Sequence, residues 1–120
     1  MQKKSSSSVR VFYPKFNTDW VVKTMKEHLP ELQSLLPVKL VALFGSYAKG
    51  NYTVASDVDV LVVYEGQARK DAFNLVLEAF PVPRLEPHVY SANEYEQMQA
   101  TIRRMIRDSI VIYNDTQLSV

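Results

Sequence analysis

Two short, nearly unbroken apolar runs stand out along the chain. KLVALF at 39–44 and VDVLVVY at 58–64 are too short, and too apolar on every side, to be surface helices, so they indicate buried β-strands. Two weaker runs, LEPHVY at 85–90 and SIVIY at 109–113, predict further strands. Pro87 favours a sheet edge for the first of these, because proline cannot donate a ladder hydrogen bond. We therefore expect a sheet of about four strands.

Helical spacing of apolar residues separates these runs. It predicts a helix over 20–29, which Pro30 is expected to end, or to follow with a second short helix. A helix with one polar edge is predicted over 67–80. A Ser-x-x-Glu capping box opens a last helix over 91–107. The order α-β-(short α)-β-α-β-α-β predicts an α/β (α+β) fold, a small mixed sheet with helices packed against it.

Length and composition limit the classes of protein that fit. The 120 residues suit one domain, with a polar, serine-rich mobile tail over 1–10 and the folded domain over 11–120. No apolar stretch approaches the roughly 18 residues of a membrane helix, and the N-terminus lacks the apolar core of a signal peptide. Cysteine is absent and the net charge is only +1. We expect a cytoplasmic protein that binds neither membrane nor nucleic acid.

Two aspartates head the second buried strand. Because side chains alternate along a strand, Asp57 and Asp59 are expected on one face, roughly 7 Å apart at the rim of a buried surface. Like charges that close repel unless a positive group lies between them. A divalent cation would supply that charge, and hard oxygen ligands without cysteine favour Mg²⁺ or Mn²⁺. The alternative for this pair alone is a turn cap followed by a solvated strand end.

A Gly-Ser pair ends the first buried strand. Gly45 permits a sharp turn, and a short helical turn after it would form an anion site to which the Ser46 hydroxyl and the Lys49 ammonium add donors. In isolation, an ordinary strand-to-helix turn, with Gly45 for its geometry and Ser46 as N-cap, explains the pair better than an anion site does. A P-loop is excluded, because Asn51 and Tyr52 stand where its lysine and hydroxyl would be. Together, the turn and the aspartates form a cradle for a metal-bound triphosphate.

LFGSYAKG followed by SDVDVLVV resembles the minimal nucleotidyltransferases, small members of the DNA polymerase β-like superfamily. Their signature is Gly-Ser, ten residues and then Asp-x-Asp, which is the spacing found here, and the resemblance extends over about residues 15–115. It implies a nucleotidyltransferase-like fold. It also implies that Gly45 and Ser46 bind the nucleotide phosphates and that Asp57 and Asp59 bind Mg²⁺ (or Mn²⁺).

The family completes its metal site with a third carboxylate, usually Asp, on a following strand. The resemblance points to Glu86 on the comparable strand here, both as the third ligand and as the group that draws a proton from the acceptor. His88 shares its face and is a candidate assistant, although a lone strand histidine is more often structural. Lys49 stands where many members have Arg, which keeps the phosphate-binding charge and loses the bidentate fork.

The resemblance further implies transfer of a nucleoside monophosphate, AMP from ATP, to an acceptor hydroxyl. The chain has no room for an acceptor-binding domain, so a partner surface or a homo-oligomer would supply one. The family suggests a small helical HEPN-type partner, with this chain as the antitoxin of a toxin–antitoxin pair that modifies a partner tyrosine. A nucleotide-binding pseudoenzyme and a non-catalytic interaction module stay open. The apolar face of the 91–107 helix is either core or a docking face.

Overall fold

The computed structural model describes residues 17–115. The tail predicted over 1–10 lies outside the described residues, as do the ends of the predicted domain, 11–16 and 116–120. The elements in chain order are α1 (Thr18–Leu35), β1 (Val38–Phe44), α2 (Ser46–Lys49), β2 (Val58–Tyr64), α3 (Ala72–Ala79), β3 (Leu85–Ser91), α4 (Ala92–Gln97), α5 (Gln99–Met105) and β4 (Ile110–Asn114). None of the helices within 17–115 is long and apolar enough to cross a membrane.

The four strands form one mixed sheet, as predicted. Their order is β3-β2-β1-β4. β1 pairs antiparallel with both β2 and β4, whereas β2 and β3 run parallel and are joined by a crossover that contains α3. β3, the strand with Pro87, lies at a sheet edge as expected. The two buried strands of the sequence are therefore the two central strands of the sheet.

Alternation along the central strands builds two cores, one on each face of the sheet. The first face buries Val41 and Val62 beneath α1 and α3. The second face buries Leu61 together with Ile102 of α5 and Ile106 at the C-terminal end of that helix. Each such side chain contributes about 1.5–3 kcal/mol when fully buried. The apolar face of that helix therefore belongs to the core, and the docking alternative is not supported.

The first helix differs from its prediction. Pro30 neither ends α1 nor opens a second helix, because α1 runs unbroken to Leu35. An interior proline removes one helical hydrogen bond and costs about 3 kcal/mol. The apolar stripe continues across it, however, with Met25 before and Leu32 after the proline both fully buried. Burial of one continuous stripe offsets the lost hydrogen bond.

The third helix begins later than predicted, at Ala72 instead of residue 67. Arg69 donates from Nε and Nη2 to the two carboxylate oxygens of Asp71 at 3.0 and 2.9 Å, and its backbone N–H donates to the Tyr64 hydroxyl at 2.7 Å. This pairing lowers the pKa of Asp71 and raises that of Arg69, through the hydrogen bond between them. These contacts hold the stretch before α3 in a non-helical turn.

The last predicted helix is two helices. The capping box is confirmed, since the Ser91 side chain accepts from the Glu94 N–H at 3.1 Å and the Glu94 carboxylate accepts from the Ser91 N–H at 2.9 Å. The helix then breaks at Met98, whose φ of −118° and ψ of 22° are not helical. The break lets α4 and α5 turn separately over the second face of the sheet, where Tyr95 and Ile102 are both buried.

Candidate active site

The Gly-Ser turn lies directly against the second aspartate. Gly45 has φ 77° and ψ −154°, a conformation that side chains rarely adopt. A Cβ placed on it would collide with the Asp59 carboxylate oxygen Oδ2 and would lie 3.3 Å from Asp59 Cγ. The antiparallel register that pairs Phe44 with Asp59 brings the two together. Glycine is needed here both for the turn and for the space beside the carboxylate.

The short helix predicted after this turn is present as α2. The Lys49 N–H donates to the Gly45 carbonyl at 3.1 Å, and the Gly50 N–H donates to the Ser46 carbonyl at 2.9 Å. Gly50 ends the helix in the left-handed conformation, with φ 82°. Ser46 is half-buried, whereas Lys49 is exposed. The three residues predicted to bind phosphate are thus held together in one turn.

Tyr47 anchors the Gly-Ser turn to the rest of the fold. Its ring is buried and stacks on Tyr52, with centroids 4.1 Å apart and an interplanar angle of 8°. Its backbone carbonyl accepts a 2.6 Å hydrogen bond from the Thr18 hydroxyl at the start of α1. Burial raises the pKa of the Tyr47 phenol, and the neighbouring Tyr52 raises it further. The side chain is therefore neutral and serves to anchor the turn.

The first aspartate has a cationic partner that the sequence did not predict. Asp57 immediately precedes β2, and its Oδ1 accepts a hydrogen bond from Arg84 Nη2 at 3.1 Å. The same guanidinium donates to the Ser56 and Ala55 carbonyls at 3.1 and 2.7 Å. Arg84 itself has φ 60°, and its carbonyl accepts from the Val58 N–H at 2.9 Å. One arginine therefore organises the loop that carries Asp57.

The second aspartate is paired with His88. The ring Nε2 lies 3.2 Å from Asp59 Oδ1, and both side chains are only about 30% exposed, at 30% and 27%. The His88 ring also meets Phe44 edge-on, with centroids 4.9 Å apart. The structure thus places His88 in the site itself, beside the end of β1.

Glu86, the predicted third carboxylate, lies on the strand next to Asp59. In the parallel ladder the two are direct register partners, so their side chains share one face. Glu86 is exposed and forms no ion pair or side-chain hydrogen bond with another residue of the described chain. Across 17–115, no three His, Asp or Glu side chains are grouped closely enough to hold a metal ion in this arrangement. The three carboxylates lie at one end of the sheet but are not assembled as a ligand set.

A cavity of about 330 Å³ adjoins the turn. Its lining consists of Phe44, Gly45, Lys49, Arg104, Met105, Arg107 and Asp108. Sequence reasoning missed the two arginines of this lining, since it considered only the apolar face of the helix predicted over 91–107. A larger hollow of about 560 Å³ lies between α1 and Ile110, and its lining includes none of the predicted site residues. The smaller cavity is therefore the one that belongs to this site.

Comparison with known proteins identifies the kind of domain. A family model described as "Nucleotidyltransferase domain" matches residues 25–113, which is most of the chain and contains every predicted site residue. The match begins within α1 and ends within β4. It therefore covers β1, β2 and β3 completely, most of β4, and both halves of the candidate site.

The chain is also similar to proteins of Methanocaldococcus jannaschii that are provisionally named protein adenylyltransferases. One is 39% identical over 44 residues, which are 37% of this chain and 45% of that relative. Another is 46% identical over 43 residues, which are 34% of this chain and 43% of that relative. The matched segment thus spans less than half the length of these curated relatives.

Solved structures share the fold. A provisionally named nucleotidyltransferase from Sulfolobus solfataricus superposes with a TM-score of 0.57 at 23% identity, over 86% of this chain and 88% of that one. A toxin–antitoxin structure with AMP-PNP gives 0.55 at 17% identity, over 77% and 74% of the two chains. A complex of a tri-AMPylated HEPN toxin of Shewanella oneidensis with its MNT antitoxin gives 0.52 at 15% identity, over 80% and 74%. At these identities the similarity shows a nucleotidyltransferase-like fold.

Proposed function

Because this chain belongs to the nucleotidyltransferase domain family, we propose that it transfers AMP from ATP to a hydroxyl group of a partner protein. The observation that carries the proposal is the contact between Gly45 and Asp59. Any side chain at Gly45 would collide with the carboxylate, so the Gly-Ser turn and the acidic strand end form one continuous surface. That surface has the composition of a site for a metal-bound triphosphate, with donors on one side and hard oxygen ligands on the other.

The donor set suits a hard divalent cation. Asp57, Asp59 and Glu86 supply only carboxylate oxygens, which Mg²⁺ and Mn²⁺ prefer. When bound there, the cation would supply charge neutralisation for the triphosphate. Binding of the cation to Asp57 would replace the ion pair that Asp57 forms with Arg84. The two side chains are 55% and 53% exposed. Such an exposed pair contributes only about 0–1 kcal/mol, so its loss is a small cost.

The proposed reaction also needs phosphate binding by the Gly-Ser turn and a second role for Glu86. Gly45, Ser46 and Lys49 bind the phosphates and hold the α-phosphorus in line with the acceptor oxygen. The bond between that phosphorus and the oxygen bridging to the β-phosphate breaks as the acceptor oxygen attacks, and pyrophosphate leaves. Glu86 accepts the acceptor proton, since its exposed carboxylate has no cationic partner among the described residues.

The acceptor in this proposal is a tyrosine hydroxyl of a small helical HEPN-type partner. Two of the structural neighbours are toxin–antitoxin complexes, one with AMP-PNP and one with an AMPylated HEPN toxin. These facts belong to those proteins and support the choice of partner here. The exposed position of the carboxylate end of the sheet also favours a macromolecular acceptor, because Asp57 and Glu86 both face solvent.

The proposal is tested with ATP labelled at the α-phosphate, Mg²⁺ and desalted host lysate. We expect wild type to transfer label to one protein band, and Asp57→Asn to lose transfer by at least about 100-fold, as expected when a metal-binding carboxylate is removed. Glu86→Gln should lose a similar factor, with Glu78→Gln, an exposed glutamate on α3, as the matched control. Full transfer by Asp57→Asn would refute the proposed reaction.

A nucleotide-binding pseudoenzyme is the second candidate. One observation favours it, namely that within 17–115 no three carboxylate or imidazole groups are assembled as a metal site. This candidate predicts that wild type binds ATP and transfers no label in the same assay, with or without lysate. It also predicts that Glu86→Gln leaves ATP affinity unchanged. Transfer that depends on Glu86 would exclude it.

A further inference from the structure

The cavity beside the Gly-Ser turn concentrates positive charge. Lys49, Arg104 and Arg107 line it together with a single carboxylate, that of Asp108. Three cations and one anion give this small surface a formal charge of +2, whereas the whole chain carries only +1. Charge focused in a concave surface attracts anions more strongly than the same charge spread over the protein.

These cations are free to bind a ligand. The ion pairs formed within 17–115 involve Lys39, Arg69, Arg84 and two histidines, but not Lys49, Arg104 or Arg107. Their side chains also make no hydrogen bond to another described residue and are exposed. An arginine without a carboxylate partner keeps its five N–H donors available for phosphate oxygens.

The cavity is continuous with the carboxylate site. Gly45 lines the cavity and also lies against the Asp59 carboxylate. Phe44 lines the cavity and contacts the His88 ring, which pairs with Asp59. A volume of about 330 Å³ is at the lower end of the roughly 300–1,000 Å³ of small-molecule pockets. That size suits a diphosphate group better than a whole nucleotide.

We propose that Arg104 and Arg107, with Lys49, form a subsite for the β- and γ-phosphates of the nucleotide and for the pyrophosphate that leaves. This inference rests on the proposed function. It assigns the cavity side of the same site to α5, which carries Arg104, and to the turn after it, which carries Arg107. As the bond to the α-phosphorus breaks, negative charge grows on the departing pyrophosphate. Two guanidinium groups already in place would stabilise that charge.

Calorimetric titration of Arg104→Ala and Arg107→Ala with Mg·ATP, Mg·pyrophosphate and AMP tests the subsite. Each variant should weaken binding of Mg·ATP and Mg·pyrophosphate about tenfold, the effect of one charge-assisted hydrogen bond. AMP, which lacks the β- and γ-phosphates, should change less than about twofold. Arg103→Ala is the matched control, because this exposed arginine precedes Arg104 on α5 and does not line the cavity. It should bind all three ligands like wild type.

Equal weakening of AMP and ATP, or losses no larger than those of Arg103→Ala, would overturn the subsite. Arg104→Lys and Arg107→Lys keep the charge and should recover part of the affinity, which excludes a folding defect as the cause. If wild type binds Mg·ATP but transfers no AMP, the proposed reaction fails. The subsite is then still decided by whether the variants lose more affinity for Mg·ATP than for AMP. If wild type binds neither Mg·ATP nor Mg·pyrophosphate, both proposals fail.

Discussion

Replacing Gly45 by alanine probes the central contact of the site. The substitution adds one methyl group where the backbone has φ 77° and ψ −154°, a region that costs a side chain about 1–3 kcal/mol. The new Cβ would also collide with the Asp59 carboxylate, which must then move away from His88. Losing that half-buried contact costs about 1 kcal/mol. We therefore expect Gly45→Ala to lower the free energy of unfolding by about 2–4 kcal/mol.

Gly50→Ala is the matched control for this prediction. Gly50 also has a positive φ, of 82°, but a Cβ there would meet no atom within 4 Å. Its cost should be limited to the left-handed backbone, about 1–2 kcal/mol. Transfer activity should fall with Gly45→Ala and survive in Gly50→Ala, because only the first displaces a proposed metal ligand.

Urea unfolding of the two variants, followed by tryptophan fluorescence or circular dichroism, measures the difference. A double-mutant cycle with Asp59→Ala isolates the collision, since removing the carboxylate should recover about 1 kcal/mol or more of the Gly45→Ala cost. The reasoning is refuted if Gly45→Ala costs no more than Gly50→Ala. It is equally refuted if Asp59→Ala leaves the Gly45→Ala cost unchanged.

Two further predictions concern the core and the anchor of the turn. Ile102→Ala should lower the free energy of unfolding by about 2–5 kcal/mol, because the residue is fully buried. Urea unfolding measures this loss. The control is Phe73→Ala, at a position that is 44% exposed, which should change the free energy of unfolding by less than about 1 kcal/mol. Equal effects would contradict the core assignment. Burial raises the pKa of Tyr47, so the folded state favours the neutral phenol. The contribution of this residue to the free energy of unfolding is therefore complete below pH 10, and it is lost as pH rises from there towards the folded-state pKa. Tyr47→Phe should flatten the resulting fall in unfolding midpoints measured across pH 9–11, and an unchanged profile would contradict the assignment.

The two central strands show how far local pattern reaches. The predicted second strand, 58–64, coincides with β2, because a short, valine-rich segment with apolar residues on both faces is typical of a strand buried on both faces of a sheet. The break at Met98 and the late start of α3 were not predicted. Both depend on contacts made elsewhere, such as the packing of Tyr95 and the hydrogen bond from Arg69 to Tyr64. Helix ends are decided by such tertiary contacts as much as by local propensity.

The sequence by itself determined the succession of strands and helical segments along the chain, apart from the break at Met98, and the spacing of the Gly-Ser and Asp-x-Asp motifs on which the proposed site rests. Only the tertiary structure decided which side chains meet there. Arg84 contacts Asp57, 27 residues away in sequence, and His88 contacts Asp59, 29 residues away. Arg104, on the last helix, lines the same cavity as Lys49. Local patterns depend on backbone geometry over a few residues, whereas these contacts depend on sheet order and register. Those are set by the packing of the whole core.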